Sequence, residues 1–561
     1  MHFDSMLRLA LCLGILVPGG VLCAAPQAAN TRGMVSSGHP LATQAGVEVL
    51  KAGGNAVDAA VAVGLTLGVV DAANSGLGGG CLMLIRLPDG RVVAIDGRET
   101  APAAATRDLF VRDGKAVPEL SQTGALASGV PGELAAFDTA LRQFGRKPLR
   151  DLILPAADLA ERGFRLNDAY AARLKSVASD LTQFEASRAV FFRRGRPLRS
   201  GDLLKQPDLA ATYRAIAEQG SDWFYRGPFA TMTERWMKAQ GGLLSAADFA
   251  VYRCVLREPI STAYRDYQVV TFPPPSSGGV HLAQMLNILE HFDLKALDEV
   301  TRLHLMAETM KLAFADRAYW LGDPDFAQVP RGLVAKEYAA SLAKRVSLTR
   351  AGPVPSHGEP PGWQSDFFRK HTTHFSVADA EGNWVACTAT VNTSFGSKVV
   401  IPGTGVVLNN QMDDFSARPG ATNYFGLVGA DANAIAPGKR PLSSMTPTIV
   451  LKEGSPIIAL GAAGGPKIIT TVLMELVNLL DLGVGLEAAL AAPRIHHQGL
   501  PNELMAERRL PKALQQALTA RGHKVTTLRA GSVSHAVARG ADDKSFVGAA
   551  DPRAQGTAAG W

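Results

Sequence analysis

Thr372 and Thr390 are the residues from which the chemistry of this chain is best approached. Residues 372–378 and 384–392 are two runs rich in Thr, Val and Ala, joined by Ala380-Glu381-Gly382. A three-residue loop with Gly last is a favoured hairpin connection. That register pairs Asp379 with Asn383 and, counting outward, Thr372 with Thr390. Asn392 falls two residues further on, on the same face. A threonine hydroxyl is a weak nucleophile until a base takes its proton. If the chain is cut before Thr372, the new α-amine can be that base, and the Thr390 hydroxyl can orient the Thr372 oxygen. The same spacing also describes an ordinary Thr-rich strand pair, and taken locally that is the commoner meaning.

Two further groupings carry chemistry. Gly464-Gly465 follows the strand-like SPIIAL and precedes a helix that opens at Pro466. Backbone N–H groups at such a turn can point outward together and stabilise an oxyanion; a tight turn needing only glycine's freedom fits equally. NNQMDDFS brings Gln411, Asp413 and Asp414, and PLSSMTP brings Ser443 and Ser444. With Arg98 these could hold a zwitterion, amide and carboxylate oxygens for the ammonium, guanidinium and hydroxyls for the carboxylate. Solvated loops or helix caps are the ordinary alternative, and spacing alone does not bring the segments together.

The elements that must position these residues are legible. Residues 39–70 read as two helices. Pro40 suits a first helical position, Gly53-Gly54 ends the first helix, and Asn55 caps an all-round apolar second one. After GLGGG, two β runs around Pro88-Asp89-Gly90 form a hairpin that delivers Arg98 to a strand end. A mostly helical middle, roughly 109–345, includes HLMAETMKLAFADRAYWL and a rigid FPPPSSGG loop at 272–279. The Pro- and Gly-rich 351–366 reads as an exposed, mobile linker ahead of Thr372. Strands then helices follow, which suits a layered sandwich with helices outside a sheet core.

The chain's 561 residues and 47% hydrophobic content are those of a globular enzyme, and a net charge of +6 over that length is a weak field. The densest basic run, Arg193 to Arg199 around Gly195 and Pro197, reads as a turn between strands, and no nucleic-acid module accompanies it. At the N-terminus Arg8, an apolar stretch 9–22 and the small Ala24-Ala25 outline a signal peptide over residues 1–24. Cys23 offers a lipoprotein alternative, ranked second because Leu22 is bulky. No later segment reaches membrane-spanning length without a charge. Cys81, Cys254 and Cys387, left after Cys12 and Cys23, make neither a disulfide framework nor a metal spacing.

These segments resemble one family, the γ-glutamyltranspeptidases, from about Arg32 to the end. The likeness lies in GGNAVDAAVAVG, GLGGG, DGRETAPA, FPPPSSGG and FADRAYWLGDPDF, then TTHFSV, TVNTSFGS, NNQMDDFS, KRPLSSMTPTIV, GAAGGPKIITT and APRIHHQ. The resemblance implies an N-terminal-nucleophile hydrolase with a four-layer αββα sandwich. It implies self-cleavage between His371 and Thr372 into a large subunit, 25–371, and a small one, 372–561, that stay together. It implies Thr372 as nucleophile, Thr390 as its support, and Gly464 and Gly465 as the oxyanion hole. By the same resemblance Asn392, Gln411 and Asp414 hold the substrate's α-amino group, and Arg98 and Ser443, with Ser444 beside them, hold its α-carboxylate. The expected substrates are glutathione and related γ-glutamyl compounds, with water, amino acids or dipeptides as acceptors and no metal or organic cofactor. Phe425 stands where a lid tyrosine is familiar, and the chain ends Gly560-Trp561 where Gly-Tyr is usual. Two rivals remain at this level. A cephalosporin-acylase-like enzyme would take glutaryl groups, which lack the α-ammonium that Asp414 attracts. A non-catalytic exported protein would bind γ-glutamyl compounds and stay uncut.

Overall fold

The computed structural model describes residues 28–368, 377–529 and 531–561. The expected signal segment and the His371–Thr372 bond lie outside these residues.

Two seven-stranded antiparallel sheets form the centre. The first runs, in spatial order, Val255–Arg257, Val92–Gly97, Gly80–Arg86, Trp384–Thr390, Val377–Asp379, Gly33–Ser37 and Thr557–Gly560. The second runs Ala28–Asn30, Phe546–Ala550, Val533–Arg539, Ser455–Ala463, Thr448–Lys452, Tyr267–Thr271 and Ile260–Tyr264. Strand alternation sorts the side chains. Cys81, Met83 and Ile85 pack with the helices Pro40–Lys51, Ala56–Val70 and Glu133–Phe144. Leu82 and Leu84 point the other way, into a core shared with the second sheet and the helices Ser277–Leu289, Glu299–Trp320 and Lys467–Leu476. The result is the expected αββα sandwich, with both sheets buried on both faces.

The local reasons are those of the sequence. Asn55 and Asp58 form a capping box on Ala56–Val70, whose small apolar residues are buried all round between a neighbouring helix and the first sheet. The hairpin adopts the expected register, Val377↔Val385 and Ala378↔Trp384, with Asp379 N donating to Asn383 O at 3.0 Å. The Asp379 carboxylate pins this turn. One oxygen accepts from Glu381 N and Asn383 N, the other from Asn383 Nδ2 and from Ala56 N at the start of the buried helix. Continued outward, the register reaches Thr372 opposite Thr390, a pairing outside the described residues. The basic run is a turn between strands, Phe192–Arg193 against Arg196–Pro197.

One expectation fails. The stretch 351–366 is not a loose linker along its length. Ala351 N donates to Arg521 O, Lys311 Nζ to Gly352 O at 2.6 Å, and Gly358 N to Asp316 Oδ1 at 2.7 Å. Its Pro and Gly content removed any helix or strand pattern, but side chains of Glu299–Trp320 hold the backbone of Gly352 and Gly358. Among the described residues no helix is long and apolar enough to cross a membrane.

The strand bearing Arg98 is fixed by a buried ion cluster. Asp96 accepts from Arg257 Nε at 2.6 Å and lies 3.4 Å from Arg440 Nε, while its other oxygen accepts from Arg98 N at 2.9 Å. Removing one partner of such a cluster strands a buried charge. Arg257→Ala is therefore expected to lower stability by about 3–5 kcal/mol, read as a fall in the urea unfolding midpoint; an unchanged midpoint contradicts the cluster's role.

Candidate active site

The two central strands of the two sheets, Trp384–Thr390 and Ser455–Ala463, face each other and end together. A Cβ on Gly461 would lie 3.6 Å from Thr388 Oγ1, which sets the separation there. Past their ends opens a cavity of about 480 Å³. Thr390, Asn392, Gln411 and Asp414 line it, as do Arg98, Ser443, Ser444, Gly464 and Gly465. These are all the expected site residues that the structure describes, drawn from five separate segments.

The GLGGG cluster explains how the strand ends come so close. A Cβ on Gly79 would sit 2.0 Å from Thr390 O, so no larger residue fits under that strand. Thr390 Oγ1 accepts from Asn392 N at 2.8 Å, which leaves its own proton to be donated. Asn392 departs from expectation. The strand stops at Thr390, and Asn392 takes a left-handed backbone, φ 80°, rather than continuing on the strand's face. Its Nδ2 donates to Asn410 O at 2.9 Å, and no described donor is bonded to its Oδ1. Gln411 is buried and its Oε1 has no hydrogen-bond partner among the described residues. A buried acceptor left unpaired is costly, so this cavity wall is built to receive a donor.

Arg98 is buried and committed: Nη2 lies 2.5 Å from Asp414 Oδ2, and Nε donates to Pro441 O at 3.0 Å. Among the described residues the other Asp414 oxygen has only a long contact, 3.4 Å, from Asn423 Nδ2. Burial pushes the Asp414 carboxyl up, against the pull of Arg98. Ser443 Oγ accepts from Met445 N at 3.1 Å, so its proton too is available. Cation acceptors and anion donors thus stand side by side in one cavity.

At the end of the facing strand Gly464 and Gly465 have φ values of 146° and 61°, which only glycine adopts without strain. Neither amide N–H donates to a described group. The Phe425 ring packs on Gly465, where a Cβ would come within 2.6 Å of it. Tyr424, beside it, is exposed at the cavity wall, with its N–H donating to Asp413 Oδ2 at 2.8 Å. The hydroxyl missing at position 425 therefore leaves an apolar ring beside the glycine turn.

Three groups escaped the sequence reading. Glu99 is buried, both its oxygens lack hydrogen-bond partners among the described residues, and burial raises it to about 8. Glu133, buried nearby, is raised as well, first by desolvation. Arg317 projects from Glu299–Trp320 toward Ser444; that helix also buries Glu308, Lys311 and Asp316, so its sequence did not single Arg317 out. Among the described residues the one grouping of metal-ligand types is His304, Glu308 and His523. It does not line the cavity, and Lys311 Nζ already lies 2.5 Å from Glu308 Oε1.

Comparison with known proteins places the chain in a family. The family model described as gamma-glutamyltranspeptidase matches residues 42–561. The chain belongs to that family. It is 48% identical to a glutathione hydrolase proenzyme of Escherichia coli over 93% of this chain and 90% of the relative. It is 41% identical to an acylase ACY 1 proenzyme of a Pseudomonas species, over 95% and 94%. A cephalosporin acylase structure from Bacillus halodurans superposes with a TM-score of 0.85 at 29% identity, over 98% and 99%.

Glu99 offers a pH test. Its carboxyl is raised from 4.5 to about 8 by burial, so between those values the folded chain keeps a proton that the unfolded chain releases. Stability from this group is full below pH 4.5 and falls as pH rises toward 8. Glu99→Gln removes the dependence. The thermal midpoint of the variant relative to the unsubstituted chain is expected to rise between pH 5 and 8 and then level off; a flat difference contradicts it.

Proposed function

We propose that this chain is an exported proenzyme that cuts itself before Thr372 and then transfers γ-glutamyl groups from glutathione and related compounds to water, amino acids or short peptides. The observation that carries the reading is the cavity wall. Gln411 Oε1, without a partner among the described residues, Asn392 Oδ1 and the Asp414 oxygen turned from Arg98 ask for an ammonium, beside Arg98 and the hydroxyls of Ser443 and Ser444 that ask for a carboxylate. A γ-glutamyl donor carries both on one carbon.

In this mechanism the Thr372 α-amine takes the hydroxyl proton as the oxygen attacks the γ-carbonyl. Thr390, its lone pair occupied by Asn392 N, donates to the Thr372 oxygen. The N–H groups of Gly464 and Gly465 receive the oxyanion. Collapse expels the amine, which leaves with the proton held by the α-ammonium, and a γ-glutamyl ester remains on Thr372. Water or an acceptor amine then attacks that ester, giving glutamate or a new γ-glutamyl amide. Self-cleavage uses the same hydroxyl against the His371 carbonyl: the peptide C–N bond breaks, the α-amine is freed and the ester hydrolyses. The products are subunits 25–371 and 372–561.

The second reading takes glutaryl groups, which the acylase relatives' names bring to mind. A glutaryl group leaves Gln411 and Asp414 facing no cation. With the same leaving group, γ-glutamyl donors are expected to exceed glutaryl ones by about 100-fold or more in kcat/KM. Denaturing electrophoresis should show two chains for the natural sequence and one for Thr372→Ala. A single full-length band in both, or equal turnover of glutaryl donors, contradicts the proposal.

A further inference from the structure

A second buried cation stands behind the anion half of the cavity: Arg317 does not line it but reaches Ser444, which does. Arg317 is buried on Glu299–Trp320, and its guanidinium donates from Nε to Ser277 Oγ at 3.0 Å and from Nη2 to Ser444 Oγ at 3.4 Å. Among the described residues no carboxylate oxygen lies within 4.0 Å of it. Asp414, the carboxylate whose field it feels, is already in contact with Arg98. Burial pulls Arg317 down to about 10, which still leaves it cationic at neutral pH. Arginine does not escape burial by shedding its proton, so a buried guanidinium whose described hydrogen-bond partners are hydroxyls is a charge without a carboxylate in direct contact.

Its partners are arranged to use that charge. Ser277 Oγ accepts from Arg317 and donates to Ser443 O at 2.8 Å, where Ser277 N also donates at 2.8 Å. Ser443 N in turn donates to Pro275 O at 2.8 Å. The FPPPSSGG loop thereby grips the PLSSMTP segment, and Arg317 reaches Ser444 alongside it. Ser444 Oγ accepts from a cation, and no described acceptor takes its proton. The hydroxyl is left as a donor toward the cavity.

We propose that Arg317 is a positioning residue for the donor's α-carboxylate: it fixes Ser444 so that the hydroxyl proton meets that carboxylate, and it stands behind the pair as the positive charge that Asp414 does not cancel. This rests on the assignment of Arg98, Ser443 and Ser444 to the α-carboxylate. It makes Arg317 a determinant of which acyl groups are accepted, acting through Ser444 without touching substrate. It also distinguishes the two cations: Arg98 bridges the ammonium and carboxylate sites through Asp414, whereas Arg317 serves the carboxylate alone.

The test uses the self-cleaved protein and a chromogenic γ-glutamyl anilide, with L-glutamate and its α-carboxamide as competing ligands. Arg317→Gln is expected to raise KM and the inhibition constant of glutamate by about tenfold, with kcat within about threefold and the constant for the carboxamide within about twofold. Arg317→Lys, which keeps the charge and loses the fork, should recover part of the loss. Adding Ser444→Ala to Arg317→Gln should cost less than the two separate effects combined. Equal losses for carboxylate and carboxamide, or a fall in kcat with KM unchanged, overturn the proposal. If the Arg317 variants do not cleave or fold, Ser444→Ala alone decides: it must weaken the carboxylate ligand and spare the carboxamide, and an equal effect on both overturns the proposal. An unsubstituted protein that releases nothing from the anilide and binds no glutamate sinks the γ-glutamyl assignment itself, a result separable from Arg317 variants that fail to discriminate.

Discussion

Everything in the site depends on two central strands facing each other across the sheet interface. Trp384–Thr390 and Ser455–Ala463 each have three strands on either side, so neither can shift without dragging a whole sheet. Glycine lets them meet: Gly461 opposite Thr388, Gly79 beneath Thr390 O. Their ends then deliver a hydroxyl from one sheet, and from the other two amide N–H groups that donate to no described group, to one cavity. The site is precise because rigid strands, not mobile loops, set its floor.

The cavity's electrostatics follow from what is buried with it. Arg98 and Asp414 form a close ion pair held at the end of a strand whose neighbour Asp96 is locked by Arg257 and Arg440. A buried pair of this kind adds little net stability. Its value here is positional: it fixes an anion-binding and a cation-binding group at one spacing. Glu99 Oε2 lies 3.6 Å from Arg98 Nη1, and burial pushes that carboxyl up to about 8, which weakens its hold on Arg98. Arg317 adds charge on the Ser444 side alone.

Much of this was legible in the chain. The hairpin register could be counted because a three-residue Gly-ended loop admits few pairings, and Asp379 then pins it. The capped helix at Asn55, the PDG hairpin and the strand–glycine–helix turn at 464–465 followed from local chemistry. What local chemistry could not supply was the meeting of Arg98, more than three hundred residues away in sequence, with Gln411, Asp414 and Ser443; family resemblance supplied that. Asn392 was misplaced because strand continuity was assumed through a residue whose backbone turns left-handed. The stretch 351–366 was misread because Pro and Gly hide tertiary hydrogen bonds, and Arg317 was passed over because a helix pattern does not reveal where one charge points.

The central claim is that Thr372, freed as a chain start, carries the acyl group. Acid quenching during turnover of a γ-glutamyl donor, followed by mass spectrometry of the small subunit, tests it directly. The account predicts one γ-glutamyl group as an ester on the Thr372 hydroxyl, in a chain that begins at Thr372. An acyl group on any other residue, or full turnover by a chain still joined at His371–Thr372, contradicts it.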